Sequence, residues 1–142
     1  MRKTLLFLTL TFFTSFTFSQ NSFDKAYFVN NAGERIECFI KNKDWLYNPD
    51  EFEYKVSLDV EKKVENIKRV KEFGIYNKLK YVRFTVEIDR SSDNITTLSK
   101  ERRPIFNKET LFLKMLIEGK ANLYSYTDNK GGLKRFFYNV ND

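Results

Sequence analysis

Residues 81–89, YVRFTVEID, set apolar Val82, Phe84, Val86 and Ile88 against polar Arg83, Thr85, Glu87 and Asp89. Strict alternation of this kind puts successive side chains on opposite faces of a half-buried β-strand, and no helical stripe satisfies it. The same rhythm recurs in Ile36, Cys38 and Ile40 against Arg35, Glu37 and Lys41. It returns in Phe52, Tyr54, Val56 and Leu58 against Glu53, Lys55, Ser57 and Asp59. A chain patterned this way must build sheets.

The turns agree with that reading. Residues 25–42 read as two β-runs around NNAG, where Asn and Gly tolerate the positive φ of a tight hairpin. Asn48-Pro49 interrupts the next segment, because proline cannot continue a central strand. Trp45 and Tyr47 precede that break and read as a plug over one end of the core, with a sugar-stacking platform as the alternative. From Asn66 the spacing changes: Ile67, Val70 and Phe73 recur every third residue before Gly74, which predicts one short helix near 66–73. Residues 90–108 carry few apolar side chains, mixed charge and Pro104, and read as a long surface loop.

The closing segment supplies an apolar strand over 111–117, a turn at Gly119-Lys120, and a last hairpin around TDNKGG. There Tyr124 and Tyr126 share one face of a strand, while Phe136 and Tyr138 alternate with Arg135 and Phe137 across the turn. One set of rings should join the core and the other form cross-strand pairs on a partly exposed face. The expectation is a single antiparallel all-β domain of eight or nine short strands, a sandwich or a rolled partial barrel, over residues 20–142.

The first nineteen residues do not belong to that domain. Arg2 and Lys3 precede an uncharged Leu/Phe/Thr run, and Thr17 and Ser19 are small residues suitably placed for cleavage after Ser19, or one residue later after Gln20. This is the layout of a secretory signal peptide, and the run is too short and too rich in Thr and Ser for a bilayer span. No Cys lies near the boundary, so no lipid anchor is expected. The destination is the periplasm, the outer membrane's surface or the medium.

Composition narrows the chemistry. The chain of 142 residues contains no His, which removes the commonest neutral-pH base, the commonest zinc ligand and every His-dependent nucleophile pair. One cysteine, Cys38, cannot form an internal disulfide and sits in an apolar setting suited to burial. Removing the leader leaves 23 basic against 19 acidic residues, a net of +4, too mild for a nucleic-acid footprint. Lys62, Lys63, Lys68, Arg69 and Lys71 are interspersed with acids and read as solvated surface. No cofactor motif or metal-ligand spacing is present, and TDNKGG is explained as a hairpin loop rather than a calcium loop.

The segments GERIECFIKNKDWLYNP, KEFGIY and FLKMLIEGKANLYSYTDNKGGLKRFFY together resemble a group of exported all-β proteins of Bacteroidota, flavobacteria in particular. The likeness runs from about Ala26 to Tyr138. Some members continue into an outer-membrane β-barrel. Asp142 follows soon after the last hairpin here, so the resemblance implies a form without that barrel, or a shortened member. It carries no catalytic residues across.

The expected role is therefore a non-catalytic envelope or secreted module. It would bind a protein partner through an aromatic strand face around Tyr124 and Tyr126, or through an open sheet edge. The alternative is a carbohydrate-binding module in which Trp45, Tyr47 or Tyr124 stacks on sugar faces. A third reading, a hydrolase using paired carboxylates such as Asp89 with Asp93 or Asp24 with Glu34, needs two acids that converge in space.

Overall fold

The computed structural model describes residues 22–91, 96, 103–104, 106–129 and 134–140. The leader and most of the 92–105 segment lie outside the described residues. Nine strands follow in chain order: β1 (Phe23–Asn30), β2 (Arg35–Lys41), β3 (Glu51–Lys55), β4 (Lys63–Asn66), β5 (Val70–Ile75), β6 (Leu79–Asp89), β7 (Phe106–Ile117), β8 (Ala121–Thr127) and β9 (Lys134–Val140). They form one sheet in the order β4-β3-β2-β1-β5-β6-β7-β8-β9, and every neighbouring pair is antiparallel.

One connection dictates the shape of that sheet. β4 and β5 are separated in the strand order by β3, β2 and β1, yet only residues 67–69 join them. Four strand spacings across a flat sheet would be roughly 19 Å. The four Cα steps from Asn66 to Val70 reach at most about 14 Å, and a turn bond from Arg69 N–H to Asn66 O shortens the path further. The sheet therefore rolls until its β4 edge approaches β5, which gives a curled half-barrel.

Rolling encloses the apolar face of the first strands. Ala26, Phe28, Cys38, Ile40, Phe52, Tyr54, Val70, Ile75 and Tyr81 surround Phe73, which is fully buried. Phe73 stacks on Phe52 at 4.3 Å and on Tyr81 at 5.0 Å, and meets the edge of Phe112 at 5.0 Å between centroids. On the opposite face Gly74 lies under Tyr27, where an added Cβ would come within 3.0 Å of the ring and 3.1 Å of the Leu79 carbonyl. Burial pushes the Cys38 thiol up to about 12, with the neighbouring Glu37 carboxylate acting in the same direction.

The helix expected near 66–73 is absent. Those residues form the end of β4, the turn at 67–69 and most of β5. The misleading three-residue spacing has a local cause. Val29 pairs with Glu72 while Asn30 pairs with Val70, so Lys71 is an extra, bulged residue. A bulge shifts the side-chain phase by one, which brings Val70 and Phe73 to the same face of an extended strand. The alternation through Val56 and Leu58 also ends early: β3 stops at Lys55, and both residues are exposed in the following turn.

The open side of the half-barrel is closed by residues 42–50. Trp45 lies edge-on to Phe73 and Tyr81, with centroids 5.9 and 6.0 Å away. Asn48 inserts between β7 and β8 where their direct pairing has ended. Its backbone N–H donates to Thr127 O at 2.9 Å, and its Oδ1 accepts from the Thr127 N–H at 2.9 Å. Its Nδ2 donates to Phe112 O at 2.7 Å and to Ser125 O at 3.0 Å. The Asn48 side chain thus replaces missing ladder bonds between two strands remote from it in sequence.

On the outer face of β3, Glu53 collects Lys43 and Lys62 at 2.8 Å each, and Lys41 at 3.8 Å. The Lys43 and Lys62 hydrogen bonds hold its carboxyl down at about 2.

Asn48→Ala should lower unfolding stability by about 2–4 kcal/mol, because the three side-chain hydrogen bonds are lost and strand groups are left unpaired, while the backbone bond to Thr127 O is kept. Urea titration followed by far-UV circular dichroism measures this; a change within error would show that Asn48 is not a closure point. A second expectation concerns pH. Folding favours ionised Glu53, so its contribution is complete above the usual carboxylate range and is lost as pH falls from about 4.5 towards about 2. Acid urea melts of Glu53→Gln should show a shallower decline over that window than those of the unaltered chain.

Candidate functional site

The sheet uses different faces in its two halves. β6 and β7 contribute Tyr81 and Phe112 to the rolled core. Their alternate residues Val82, Phe84, Val86, Ile88, Leu111 and Leu113 form a second apolar cluster on the opposite face. Period two makes such double use possible, since each strand offers two independent rows.

Tyr124 and Tyr126 belong to this second cluster. Their exposures are 4% and 8%, so they do not make the exposed aromatic face expected of them. Tyr124 meets the edge of Phe84 at 4.9 Å, and burial raises its phenol above the ordinary value. Tyr126 lies beneath the Arg90 guanidinium, 5.4 Å from the ring centroid, and Arg90 in turn pairs with Glu109 and Asp128. Trp45 is half-buried on the rolled core, which is the plug role. Tyr47 is exposed beside Leu46, Pro49 and Asn129 in a shallow open depression. Trp45 and Tyr47 therefore line one depression while Tyr124 and Tyr126 are buried in the second cluster, and the four form no common site.

The exposed rings of the last hairpin are on β9. Tyr124 pairs with Phe137 and Tyr126 with Arg135, whereas Leu123 pairs with Tyr138 and Ser125 with Phe136. The first set points into the second cluster. The second set points to the rolled side, beyond the reach of the core. Phe136, Tyr138 and Val140 consequently stand 59%, 79% and 62% exposed on one face. A bulge at Leu116 brings Ile117 opposite Leu123, so Ile117, Leu123 and Tyr138 run as a row across three strands. Asn122 braces the open end of the hairpin, accepting from the Gly119 N–H at 3.0 Å and donating to Asn139 Oδ1 at 3.1 Å.

Among the described residues β9 is also the last strand of the sheet, paired only with β8. Its seven residues, KRFFYNV, contain no proline and no acidic side chain, and the only charges are Lys134 and Arg135 at one end. The opposite edge differs: β4 has four residues and turns directly into β5. Its neighbouring cations are engaged, Lys62 with Glu53 and Arg69 with Glu65. The Arg69 Nε lies 2.9 Å from Glu65 Oε2 but off the line of a hydrogen bond. Long apolar edges are normally blunted by charge, proline or cover, and β9 has little of this.

Asp24 and Glu34, the one pair of acids considered that the structure describes in full, do not converge. Asp24 pairs with Lys78 near the start of β1, while Glu34 sits at the other end of the same hairpin, roughly 20 Å away along the strand. Asp93 lies outside the described residues. Among the described residues no group of three His, Cys, Asp or Glu side chains is arranged to hold a metal ion, and no helix is long and apolar enough to cross a membrane. No family model, curated protein or solved structure matches the chain.

The burial contrast sets a clear expectation. Tyr124→Ser with Tyr126→Ser should cost at least about 4 kcal/mol and disrupt the β-sheet signal, as for other large-to-small core changes. Phe136→Ser with Tyr138→Ser should change stability by about 1 kcal/mol or less. Parallel denaturation curves of the two double variants check the assignment, and equal losses would show that β9's rings are also core.

Proposed function

We propose that this protein is an exported, non-catalytic interaction module of the periplasm, outer-membrane surface or medium, which binds a protein partner along the β9 edge. The observation that supports this most directly is the coincidence of an edge left unpaired among the described residues with an exposed Phe136, Tyr138 and Val140 face. A partner strand added to β9 would satisfy its outward backbone groups, and its side chains would cover the rings. Aromatic rings remove much surface from water while losing little rotamer freedom, so a short strand of this composition is an efficient contact.

The carbohydrate-binding reading draws on Tyr47, 39% exposed at the open depression beside Leu46 and Pro49. Trp45 is poorly disposed for stacking there, because it packs on Phe73 and Tyr81. Tyr47 would carry most of such a contact, while strand addition has a seven-residue edge with three exposed apolar side chains on one face.

Phe136→Lys with Tyr138→Lys tests the proposal. In-cell crosslinking of tagged, exported chain should give a defined envelope-protein adduct whose yield falls at least about tenfold in this variant, as for loss of central interface anchors. Circular dichroism should stay unchanged. An adduct pattern identical in both chains would refute binding through β9, and saturable quenching of Trp45 by a polysaccharide in both would favour the sugar reading.

A further inference from the structure

We infer that the partner taken by β9 is a second copy of this chain, joined antiparallel about a two-fold axis at Phe137, so that two sheets continue as one. The inference rests on the strand-addition reading above and adds the identity and register of the occupant.

Self-complementarity carries it. With the axis at Phe137, all seven residues of β9 find a partner: Lys134 faces Val140, Arg135 faces Asn139, Phe136 faces Tyr138, and Phe137 faces itself. Residues directly opposite in an antiparallel pair share a face. Each Phe136 ring thus lies beside the Tyr138 ring of the other copy, giving two Phe–Tyr pairs on the exposed face. On the other face Phe137, which packs against the second apolar cluster opposite Tyr124, meets its own equivalent and extends that cluster across the junction.

Charge selects the direction. Both cations of β9 sit at its beginning and the strand itself carries no acid. A parallel, in-register partner copy would place Lys134 against Lys134 and Arg135 against Arg135, which is unfavourable for directly opposed like charges. The antiparallel arrangement moves the two pairs of cations to opposite ends and sets each against an uncharged side chain. Shifting the axis to residue 135 would oppose the two Arg135 side chains, while shifting it further along the strand would reduce the number of paired residues. The same seven-residue stretch therefore supplies both halves of an isologous contact. Pairing would also remove the unprotected edge.

Single-cysteine chemistry tests register and partner together. Phe136→Cys and Tyr138→Cys are made separately in the processed, exported chain; the native Cys38 is 5% exposed and stays out of reach. Mild oxidation of an equimolar mixture should give the 136-to-138 disulfide dimer at least about tenfold faster than either variant alone, because only that pair is directly opposed. Sedimentation equilibrium of the unaltered chain should show dimer at about 100 µM, and Phe136→Lys with Tyr138→Lys should weaken association at least about tenfold. A monomer at that concentration, a dimer indifferent to the lysine substitutions, or equal rates of self-linking would each overturn the inference. A monomeric chain that still loses an envelope adduct on lysine substitution overturns self-pairing alone. If the adduct pattern is also unchanged, strand addition at β9 falls with it.

Discussion

The short link between β4 and β5 is the constraint on which the remaining structure depends. Three residues cannot cross the width of the intervening strands, so the sheet must roll, and rolling creates the enclosed space that Phe73 and its aromatic neighbours fill. The link is itself held in place. Asn31 of the first hairpin turn donates to Lys68 O at 2.8 Å and to Arg69 O at 3.1 Å, and Arg83 of β6 donates to Ile67 O at 2.8 Å. Carbonyls that a tight turn leaves without partners are thereby satisfied from both sides.

Rolling alone would leave a gap, because β7 and β8 lie far from β3 in the strand order. Residues 42–50 bridge it with two different kinds of contact. Trp45 contributes apolar cover, and Asn48 supplies directional bonds in a place where strand pairing fails. The asparagine's value lies in having both a donor and an acceptor at the end of one short side chain. Aspartate would lose the donors to Phe112 O and Ser125 O while keeping similar shape.

Beyond the half-barrel the chain builds with what remains. β6 and β7 are long enough to serve the rolled core with one row and a second apolar cluster with the other. That second cluster captures Tyr124 and Tyr126, and in doing so it commits the alternate row of β9 to the exposed side. The aromatic edge is a consequence of register. Once Tyr124 pairs with Phe137 on the cluster side, Phe136 and Tyr138 are left exposed on the other face among the described residues.

Alternation in β2, β3 and β6, together with the Asn/Gly turn after β1, determined from sequence alone that this is an antiparallel all-β domain; the half-barrel was one of two architectures left open. Those signals are local, since strand period and turn chemistry depend on residues a few positions apart. The sequence also named the last hairpin as the aromatic element, but attributed exposure to Tyr124 and Tyr126 instead of Phe136 and Tyr138. A two-residue period defines two faces without saying which is covered, and only strand order, register and the reach of residues 42–50 settle that. The helix expected near 66–73 failed for a related reason: a bulge at Lys71 imitates helical spacing, and a bulge exists only in relation to the strand opposite. What tertiary structure alone decided, then, is where the sheet ends and which rings stand outside it, because both depend on pairing between residues distant along the chain.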